Sequence, residues 1–574
     1  MLESYPSLQK IVAALDDYLR RSNPDYFGPK APHPVAPLKA FKVIHDSLWG
    51  TNRFSWRELV LIDSPLFQRL RGIQQTGLAH YVYPSARHSR FEHSLGVATV
   101  ASRAFDALQQ RNQRRFHDIA CALDKENPDD ALVRVREELR LAALLHDTGH
   151  SLYSHTSEIV YSEIPLLREA ARELGIIVGR KKGVGEVISF CLSRTGAVAD
   201  LLARAREKLI DDDFKQEVLD VDLENVSLLI VGRSKHPYLQ FAADIISSDL
   251  DADKLDYLLR DAVFAGLPLR YDLERYLYTV NIAEDKLQDG DGHLEQLYKS
   301  LKIGAEKKPP GNGSDYPYYE SYRLRLPHQA MNTVEQIIIC KFMLYSYIYH
   351  HSKVRAAEGL LAKLLFRAVE HWRREGQGDL AVLMHFLDIV DGSLECPEFR
   401  ESKDDGIVEY CERIRKRMLP RVVFDFVAST SSHAQGELLK DFFSILIDQP
   451  EKREAVKLQF EEIMGSEILR LDSSLGKDWH DALWKTGAWL DVPGAPKFEN
   501  IRLLVGSGKD ARPLSAIFPI EYWIQAYEAH RYHVRVFAFS EYQEVVMKAA
   551  RRACREVIKI EAEEFYELTE RKRT

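Results

Sequence analysis

Three separated segments of the chain carry histidines and aspartates of the types that bind a divalent metal ion. RFEHSLG contributes His93, LLHDTGHSLYSH contributes His146 and Asp147, and DLDADKLDY contributes Asp253. Two imidazoles and two carboxylates suit Mn, Fe, Co, Ni or Zn, and such a set leaves coordination positions for water and a phosphate oxygen. The sequence therefore predicts a catalytic metal centre rather than a structural one.

The third segment places further polar groups beside its ligand. Asp253, Tyr257 and Asp261 follow one another at a spacing of four residues, with Lys254 next to the first. One face of a helix would therefore present a carboxylate, a phenol and a second carboxylate. A single His-Asp pair is more often a solvated or capping pair, but three such segments in order rarely coincide by chance. A metal-dependent function is therefore favoured over a purely structural one.

The apolar pattern indicates which elements position these residues. Apolar residues recur at helical spacing over 96–110, 131–147, 239–262, 329–350 and 355–373, which predicts a helical array. Stretches rich in β-branched residues at 501–505 and 533–539 predict short strands, and 541–566 predicts an amphipathic helix. We therefore expect a mostly α fold in which a helical core is joined to a smaller α+β C-terminal lobe.

The length of the chain predicts more than one packed region. At 574 residues it exceeds what one hydrophobic core usually serves. We expect a helical extension over residues 1–40, a helical core with the metal centre over 41–375, and the α+β lobe over 376–574. The lobe is expected to serve regulation or oligomerisation.

Composition excludes several classes of protein. No apolar stretch is long enough to span a bilayer, and the first residues lack a signal-peptide core, so we expect a soluble, cytoplasmic protein with no membrane partner. The six cysteines form no CxxC pair, so neither a zinc knuckle nor a disulfide framework is predicted. A net charge of -8 disfavours a broad nucleic-acid-coating surface but permits small polyanionic ligands.

The three segments together resemble a known enzyme family. RFEHSLGV, LLHDTGHSLYSHTSE and DLDADKLDYLLRDA are similar to the motifs of the HD-domain superfamily, and specifically to its branch of SAM-and-HD-domain dNTP triphosphohydrolases and bacterial dGTPase-like enzymes. The resemblance spans about residues 41–375 and leaves no room for a SAM domain before them. It implies a helical HD core and assigns the metal ligands to His93, His146, Asp147 and Asp253.

The resemblance also implies a substrate site for a deoxynucleoside triphosphate (dNTP), with Mg accompanying its phosphates. Arginine offers a planar fork for phosphate oxygens and lysine a point charge, so both would stabilise charge on a triphosphate. The phosphate contacts implied are Arg90, Lys254 and Tyr257, and the sugar contacts implied are Asp261 and Gln75 at the 3′-hydroxyl and Tyr349 at the 2′ position.

The implied reaction is hydrolysis at the α-phosphorus by an activated water, which yields a deoxynucleoside and inorganic triphosphate. His155, oriented by Glu158, would protonate the departing 5′ oxygen, and His150 would support the phosphate side. Family enzymes often carry a His-Glu pair about thirty residues after the HD pair, but here Gly185 precedes Glu186. Two alternatives therefore stay open: an HD phosphohydrolase acting on nucleoside monophosphates, cyclic nucleotides or single-stranded nucleic acid, and a non-catalytic nucleotide-sensing subunit.

A second group of residues concerns regulation. By the resemblance, residues in KVIHDS and LIDSPLFQRLRGIQQTG bind an activating nucleotide, GTP or a dNTP, with the aspartate facing the base and the cations facing the phosphates. These residues are Lys42, Val43, Asp63, Gln68 and Arg71. The alternative is that FQRLRGI is an amphipathic helix with a solvated polar face. Such nucleotide sites lie between subunits in the resembled enzymes, so we expect a homodimer or homotetramer.

Overall fold

The computed structural model of the chain describes residues 2–31, 41–207, 220–288, 318–427, 442–446, 449–494, 504–506 and 512–559. Within these ranges the fold is mostly α, which confirms the predicted fold class. The helices up to residue 374 are Pro6–Ser22, Pro24–Phe27, Trp56–Ile62, Pro65–Gln68, Arg90–Arg111, Gln113–Leu123, Pro128–Leu145, His155–Tyr161, Pro165–Val178, Val184–Ser193, Gly196–Glu207, Leu223–Ile230, Gln240–Ile246, Ala252–Ala265, Leu273–Thr279, Met331–Leu344 and Ser352–Arg374. None of the described helices is both long and apolar enough to cross a membrane.

Three of these helices carry the candidate metal ligands, and their ends are set by local chemistry. Arg90–Arg111 begins with a capping box, in which the Ser89 hydroxyl accepts from the Phe91 amide and the Glu92 carboxylate accepts from the Ser89 amide. Pro128–Leu145 has proline at its first position, where no amide proton is needed, and ends just before His146. Each ligand segment therefore starts or follows a helix of defined length.

The predicted helical run over 239–262 is divided in the structure. It forms Gln240–Ile246 and Ala252–Ala265, with a turn between them. Asp251 causes the break, because its carboxylate accepts hydrogen bonds from the amides of Ser248 at 2.9 Å and Lys254 at 2.9 Å. This carboxylate closes the turn and caps the second helix, which is a function of aspartate that apolar periodicity does not reveal.

A close helix crossing brings two ligand segments together. A Cβ atom built on Gly96 would lie 2.0 Å from Oδ1 of Asp256, so no larger residue fits between Arg90–Arg111 and Ala252–Ala265 at this point. The crossing places the N-terminal turns of both helices, which contain His93 and Asp253, at one end of the apolar core. Gly96 thus allows the backbone approach that the site requires.

The C-terminal region contains small sheets covered by helices. One sheet has the strand order Arg421–Phe426, Val534–Ala538, Trp489–Asp491, and both pairings are antiparallel. The predicted strand at 533–539 is therefore present, as are Leu504–Val505 within 501–505; residues 501–503 lie outside the described part. The remaining helices are Asp379–Asp388, Pro397–Arg400, Asp405–Arg415, Pro450–Leu471, Trp479–Thr486, Ile520–Arg531 and Gln543–Ala553. The last one continues as a π-turn to Ile558, and residues 560–566 of the predicted helix are also outside the described part.

Two main apolar clusters form the interior. The larger one extends from Leu8 to Ile414 and also includes side chains such as Phe539, while the smaller one joins residues between Val423 and Ile558. The helices over 382–414 therefore pack with the first cluster. The predicted division at residues 40 and 375 stays a prediction.

Two antiparallel strand pairs interrupt the predicted helical array of the first two thirds of the chain. Phe41–Asp46 pairs antiparallel with Gly50–Ser55, and Asn281–Gln288 pairs antiparallel with Tyr318–Leu326, whose other edge pairs with Leu504–Val505. Most residues of the strand Phe41–Asp46 are exposed. Its sequence therefore need not show the alternation of apolar and polar residues by which a half-buried strand is predicted.

Candidate metal centre and its surroundings

The four predicted ligands converge in the structure. Nε2 of His93 lies 3.0 Å from Oδ1 of Asp253 and 3.6 Å from Oδ2 of Asp147, and Nε2 of His146 lies 3.4 Å from Oδ1 of Asp147 and 3.9 Å from Oδ1 of Asp253. Ligand atoms about 2 Å from a shared ion lie roughly 3 to 4 Å from one another. His93, His146 and Asp147 therefore offer ligand atoms close enough to share one ion, and Asp253 lies within 3.9 Å of both imidazoles.

Both imidazoles are held so that Nε2 faces the centre. Nδ1 of His93 donates to Oδ2 of Asp256 at 2.8 Å, and Nδ1 of His146 donates to the carbonyl oxygen of Ala143 at 2.7 Å. Such outward hydrogen bonds fix the tautomer of a metal-binding histidine. The two Nε2 atoms are buried and have no hydrogen-bond partner among the described residues. The residues present therefore fit a divalent ion, which would satisfy both nitrogens.

The electrostatics of the centre also favour a cation. Burial alone would lower the pKa of His93, but the carboxylates of Asp253, Asp256 and Asp147 reverse this effect and raise the pKa to about 10. A buried imidazole whose pKa is raised this far stands in an excess of negative charge. A divalent transition ion would neutralise that charge in place of a proton.

A buried ion network supports His93 from behind. Arg260, which is 0% exposed, donates to both oxygens of Asp256 at 2.7 and 2.8 Å, and its Nη2 lies 3.0 Å from Oδ2 of Asp46. The indole of Trp49 also donates to Asp256. Sequence reasoning missed this network; the spacing of four residues between Asp256 and Arg260 on one helix was the local signal that could have found part of it.

Arg90, a predicted phosphate contact, lies at the edge of the metal centre. Its Nη1 donates to Oδ2 of Asp147 at 2.5 Å, its Nε donates to Oγ of Ser154 at 2.8 Å, and its Nη2 is 3.5 Å from Nε2 of His155. The side chain is buried. The guanidinium thus connects a ligand of the metal centre to the predicted proton donor.

The predicted acid pair is present beside the centre. Nδ1 of His155 donates to Oε2 of Glu158 at 3.2 Å, and the His155 side chain is 76% exposed. Burial alone would raise the pKa of Glu158, but the adjacent imidazoles of His155 and His150 and the amide of Gly185 lower it to about 2. Ser154, just before His155, has a φ of 56°, a strained conformation of the kind that clusters at functional sites.

His150 and Gly185 define the space on the other side of this pair. Nε2 of His150 lies 3.4 Å from Oδ1 of Asp147, and burial lowers the pKa of His150 to about 3. A Cβ atom built on Gly185 would lie 3.1 Å from Cε1 of His150 and 3.3 Å from Oε1 of Glu158. A side chain at position 185 would therefore contact both residues closely, whereas glycine contacts Glu158 through its backbone amide, which donates to Oε1 at 2.9 Å.

The predicted sugar contacts form a second group. Oδ1 of Asp261 accepts from Nε2 of His88 at 2.7 Å, and the Tyr349 hydroxyl donates to the other carboxylate oxygen. The backbone amide of Gln75 donates to the backbone carbonyl of His88 at 3.0 Å. The side-chain oxygen of Gln75 is buried without a hydrogen-bond partner among the described residues. Sequence reasoning missed His88, although it stands two residues before Arg90.

Lys254 and Tyr257 lie on the same helix as Asp253. Nζ of Lys254 donates to Oδ2 of Asp251 at 2.7 Å and to the carbonyl of Ser248 at 2.8 Å. Burial, followed by the nearby Tyr345 and carboxylates, raises the pKa of Tyr257 well above its ordinary value, so its phenol stays neutral. The helix therefore presents an ammonium group and a neutral hydroxyl next to the metal ligand.

The five residues predicted to bind an activator are connected by local contacts, and all except the half-buried Gln68 are exposed. Nζ of Lys42 is 4.0 Å from Oδ2 of Asp63, and Val43 is 51% exposed. Gln68 donates to the carbonyl of Ile62 and accepts from Nε of Arg71 at 2.8 Å. The FQRLRGI segment is one α-turn followed by a short 3-10 helix, so its polar residues form one local network rather than the face of a long helix.

Comparisons with known proteins agree with the motifs. The family model described as "HD domain" matches residues 90–208. An uncharacterized protein of Methanocaldococcus jannaschii is 25% identical over 87% of this chain and 80% of its own length. A crystal structure of a hypothetical protein from Aquifex aeolicus superposes with a TM-score of 0.54 at 20% identity, covering 89% of this chain and 99% of that one. The structural likeness shows a shared fold.

Relatives with an assigned activity cover less of the chain. The deoxynucleoside triphosphate triphosphohydrolase SAMHD1 homolog of Dictyostelium discoideum is 28% identical over 68% of this chain, and the SAMHD1 of Homo sapiens is 26% identical over 53%. The matches span 62% and 45% of those two proteins, less than two thirds of each. Residues 90–208 therefore match the HD domain, and the chain is similar to the SAMHD1 proteins over the segments covered.

Proposed function

We propose that this protein is a metal-dependent dNTP triphosphohydrolase that converts a dNTP and water to a deoxynucleoside and inorganic triphosphate. The observation that carries the proposal is the convergence of two imidazoles and two carboxylates, flanked by the buried Arg90 and by an exposed His155 that is paired with the half-buried Glu158. The similarity to SAMHD1 proteins supports the choice of substrate.

His93, His146, Asp147 and Asp253 would hold the ion, which when bound supplies Lewis acidity and an activated water. Arg90 contributes a buried guanidinium that can bind phosphate oxygens while it stays bonded to Asp147. Nδ1–H of His155 is hydrogen-bonded to Glu158, so a proton on Nε2 is the one available to the departing 5′ oxygen. His155 would therefore act as the proton donor.

The sugar end of the substrate would lie against Asp261, Gln75 and Tyr349. The Asp261 carboxylate, already held by His88 and Tyr349, can accept a hydrogen bond from the 3′-hydroxyl. In this arrangement the Tyr349 ring lies at the 2′ position and excludes a ribose hydroxyl. Selection for deoxynucleotides would then be steric.

The test is hydrolysis by protein loaded separately with Mn²⁺, Co²⁺, Fe²⁺, Ni²⁺ and Zn²⁺. Each dNTP is supplied singly and in mixtures, and products are separated by chromatography. We expect triphosphate and deoxynucleoside in equal amounts, and neither product from Asp147→Asn protein, which should also lose its metal. Asp130→Asn, at an exposed helix start, is the matched control. Absence of triphosphate from every dNTP under every condition would contradict the proposal.

A second candidate function keeps the metal centre and changes the substrate. It is favoured by Gly185, which stands where the resembled enzymes often carry histidine. A Cβ atom at this position would lie 3.1 Å from Cε1 of His150 and 3.3 Å from Oε1 of Glu158, so a larger side chain would fit only if these neighbours moved. The substrate would be a nucleoside monophosphate, a cyclic nucleotide or single-stranded nucleic acid. Orthophosphate released from a monophosphate, or shortened oligonucleotides, would support this candidate, whereas triphosphate release supports the first.

We also propose that a nucleotide, GTP or a dNTP, activates the protein at Lys42, Val43, Asp63, Gln68 and Arg71, and that this site lies in a homodimer or homotetramer. The exposure of Phe41 (43%) and Val43 (51%) on the strand Phe41–Asp46 supports an interface there, because such apolar side chains gain from burial. The measurement is molar mass by light scattering with and without nucleotide. A mass that stays monomeric, together with equal rates for single and mixed nucleotides, would contradict this regulation.

A further inference from the structure

Three cations from two segments converge on the turn before the Asp253 helix. Nη2 of Arg180 donates to Oγ of Ser247 at 2.9 Å, and Nζ of Lys182 donates to the same Oγ at 3.1 Å. Nζ of Lys254 donates to the carbonyl of Ser248 at 2.8 Å. Because Lys254 directly follows the metal ligand Asp253, this cation cluster adjoins the metal centre.

The hydrogen bonds of Arg180 go to neutral oxygens, unlike those of the two lysines. Lys182 is paired with Glu186 at 2.7 Å, and Lys254 is paired with Asp251 at 2.7 Å, but Arg180 bonds to serine and backbone oxygens. Lys341 adds one further cation near Lys254, and Asp249 and Asp253 add two carboxylates. The four cations and four carboxylates of this cluster therefore balance among the described residues, but three of the carboxylates lie on the side of Lys254 and not beside Arg180.

Lys182 has little access to solvent. Its side chain is 5% exposed, whereas that of its partner Glu186 is 39% exposed. Burial lowers the pKa of Lys182 to about 8 despite the opposing effect of Glu186. A buried ammonium group whose partner is partly solvated would be stabilised by an additional anion.

One cavity is lined both by two cations of this cluster, Arg180 and Lys182, and by the predicted proton donor His155. Its volume is about 1060 Å³, and its lining includes His155, Glu158, Arg180, Lys182 and Gly183. A Cβ atom built on Gly183 would lie 2.9 Å from Oε1 of Glu158, so Gly183 directly adjoins the His155–Glu158 pair. Lys182 is the residue before Gly183 in the chain. The Ser248 hydroxyl oxygen in the adjoining turn is buried without a hydrogen-bond partner among the described residues.

We infer that Arg180, Lys182 and Ser247 form a second phosphate-binding subsite, which holds the distal phosphates of the substrate's triphosphate group. The ligand named here rests on the proposed function. Arg90 bonds to the predicted metal ligand Asp147 and adjoins His155, where the α-phosphate would react. Arg180 and Lys182 line the same cavity as His155. Glycine at position 185 places no side-chain cation between the two regions, so Lys182 supplies positive charge on this side.

The test uses the full chain loaded with Mn²⁺ and measures binding by titration calorimetry. The probes are inorganic triphosphate, orthophosphate and thymidine. Lys182→Met removes the charge and keeps the length, Lys182→Arg keeps the charge, and Lys181→Met is the matched control, since Lys181 is an exposed neighbour that lines the same cavity. We expect Lys182→Met to weaken triphosphate binding about ten-fold or more, as the loss of a charged hydrogen bond does.

The remaining arms separate a phosphate-binding role from a structural one. Thymidine should bind all four proteins alike, Lys182→Arg should stay within about three-fold of the unaltered protein, and Lys181→Met within about two-fold. In steady state, KM for the dNTP should rise in Lys182→Met while kcat changes little. Circular dichroism checks the fold, and Arg180→Gln gives an independent variant, with weaker triphosphate binding expected, if Lys182→Met unfolds.

An unchanged triphosphate affinity in Lys182→Met would overturn the inference, as would equal losses of affinity in Lys182→Met and Lys181→Met. If Lys182→Met is unfolded, an unchanged affinity in Arg180→Gln would overturn it instead. Failure of the proposed function looks different. If triphosphate binds through Lys182 but no dNTP is hydrolysed, the subsite stands and the triphosphohydrolase assignment falls. If dNTPs are hydrolysed and Lys182→Met behaves like unaltered protein in the binding and the kinetic assay, the triphosphohydrolase assignment stands and the subsite falls.

Discussion

Nδ1 of His93 lies 2.8 Å from Oδ2 of Asp256, and both side chains are completely buried. The carboxylate accepts a hydrogen bond from Nδ1–H, so Nε2 is directed toward Asp147 and Asp253. Arg260 holds the same carboxylate through two hydrogen bonds. The orientation of a predicted metal ligand is thus set by a residue that is not itself among the predicted ligands.

We predict that Asp256→Asn weakens metal binding about ten- to a hundred-fold, the usual effect of removing the partner of a metal-binding histidine. The amide is close in shape but cannot accept from both His93 and Arg260 as a charged carboxylate does. Metal affinity is measured by calorimetry with Mn²⁺. Asp106→Asn, which alters a partly exposed pair with Arg136, is the control and should bind metal normally. Equal affinity in Asp256→Asn would show that Asp256 does not orient His93.

Asp391 connects the stability of the site region to pH. Its carboxylate accepts from the amides of Tyr153 at 2.6 Å and Gln74 at 2.8 Å, and burial raises its pKa to about 7. In the unfolded chain the carboxyl loses its proton near pH 4, whereas the folded chain keeps that proton until about pH 7. The folded state therefore binds more protons between these values, and the contribution of Asp391 to stability falls as the pH rises through this window.

We predict that Asp391→Asn becomes more stable relative to the unaltered protein as the pH rises from 4 to 7, by a few kcal/mol at most, since one pKa unit corresponds to roughly 1.4 kcal/mol. The free energy of unfolding is obtained by urea denaturation at each pH. Asparagine removes the titrating group but also alters one hydrogen bond, which shifts the free energy of unfolding by the same amount at every pH. The test is therefore how the difference between the two proteins changes with pH, not its absolute size. A difference between the two proteins that is constant with pH would contradict the prediction.

His155→Gln should lower kcat by about a hundred- to ten-thousand-fold, the range typical of the loss of a general acid, while substrate binding changes little. The side chain is 76% exposed, so its removal should not destabilise the fold. Because the pKa of Glu158 is about 2, this carboxylate stays charged above pH 5 and contributes no limb to the pH profile. Binding of a non-hydrolysable dNTP analogue separates the two effects, and turnover near the unaltered rate in His155→Gln would exclude it as the proton donor.

The sequence predicted those parts of the site that depend on local pattern. The helical segments and the ligand motifs follow from apolar spacing and from residue type, because both are read within one element. The Asp256–Arg260–Asp46 network and the contact of His88 with Asp261 depend on which elements meet across the fold. No spacing within a single segment encodes such contacts, and Gly96 shows its importance only once the crossing helix is in place.

Tyr349 provides the last prediction, which concerns selection of the sugar. Its hydroxyl donates to Asp261, and its ring lies 5.1 Å from that of Tyr345 in an edge-to-face contact, so the ring is fixed on both sides. If it crowds the 2′ position, Tyr349→Ala should raise the ratio of ribonucleotide to deoxynucleotide kcat/KM about ten-fold or more, within the range that a steric contact supplies. Tyr349→Phe keeps the ring and removes the hydroxyl, so the ratio should stay near that of the unaltered protein. Competition between GTP and dGTP in one reaction measures the ratio directly. If Tyr349→Ala has the same ratio as the unaltered protein, the 2′ carbon does not lie against this ring. If the ratio shifts as much in Tyr349→Phe as in Tyr349→Ala, the selection depends on the hydrogen bond with Asp261 rather than on the ring.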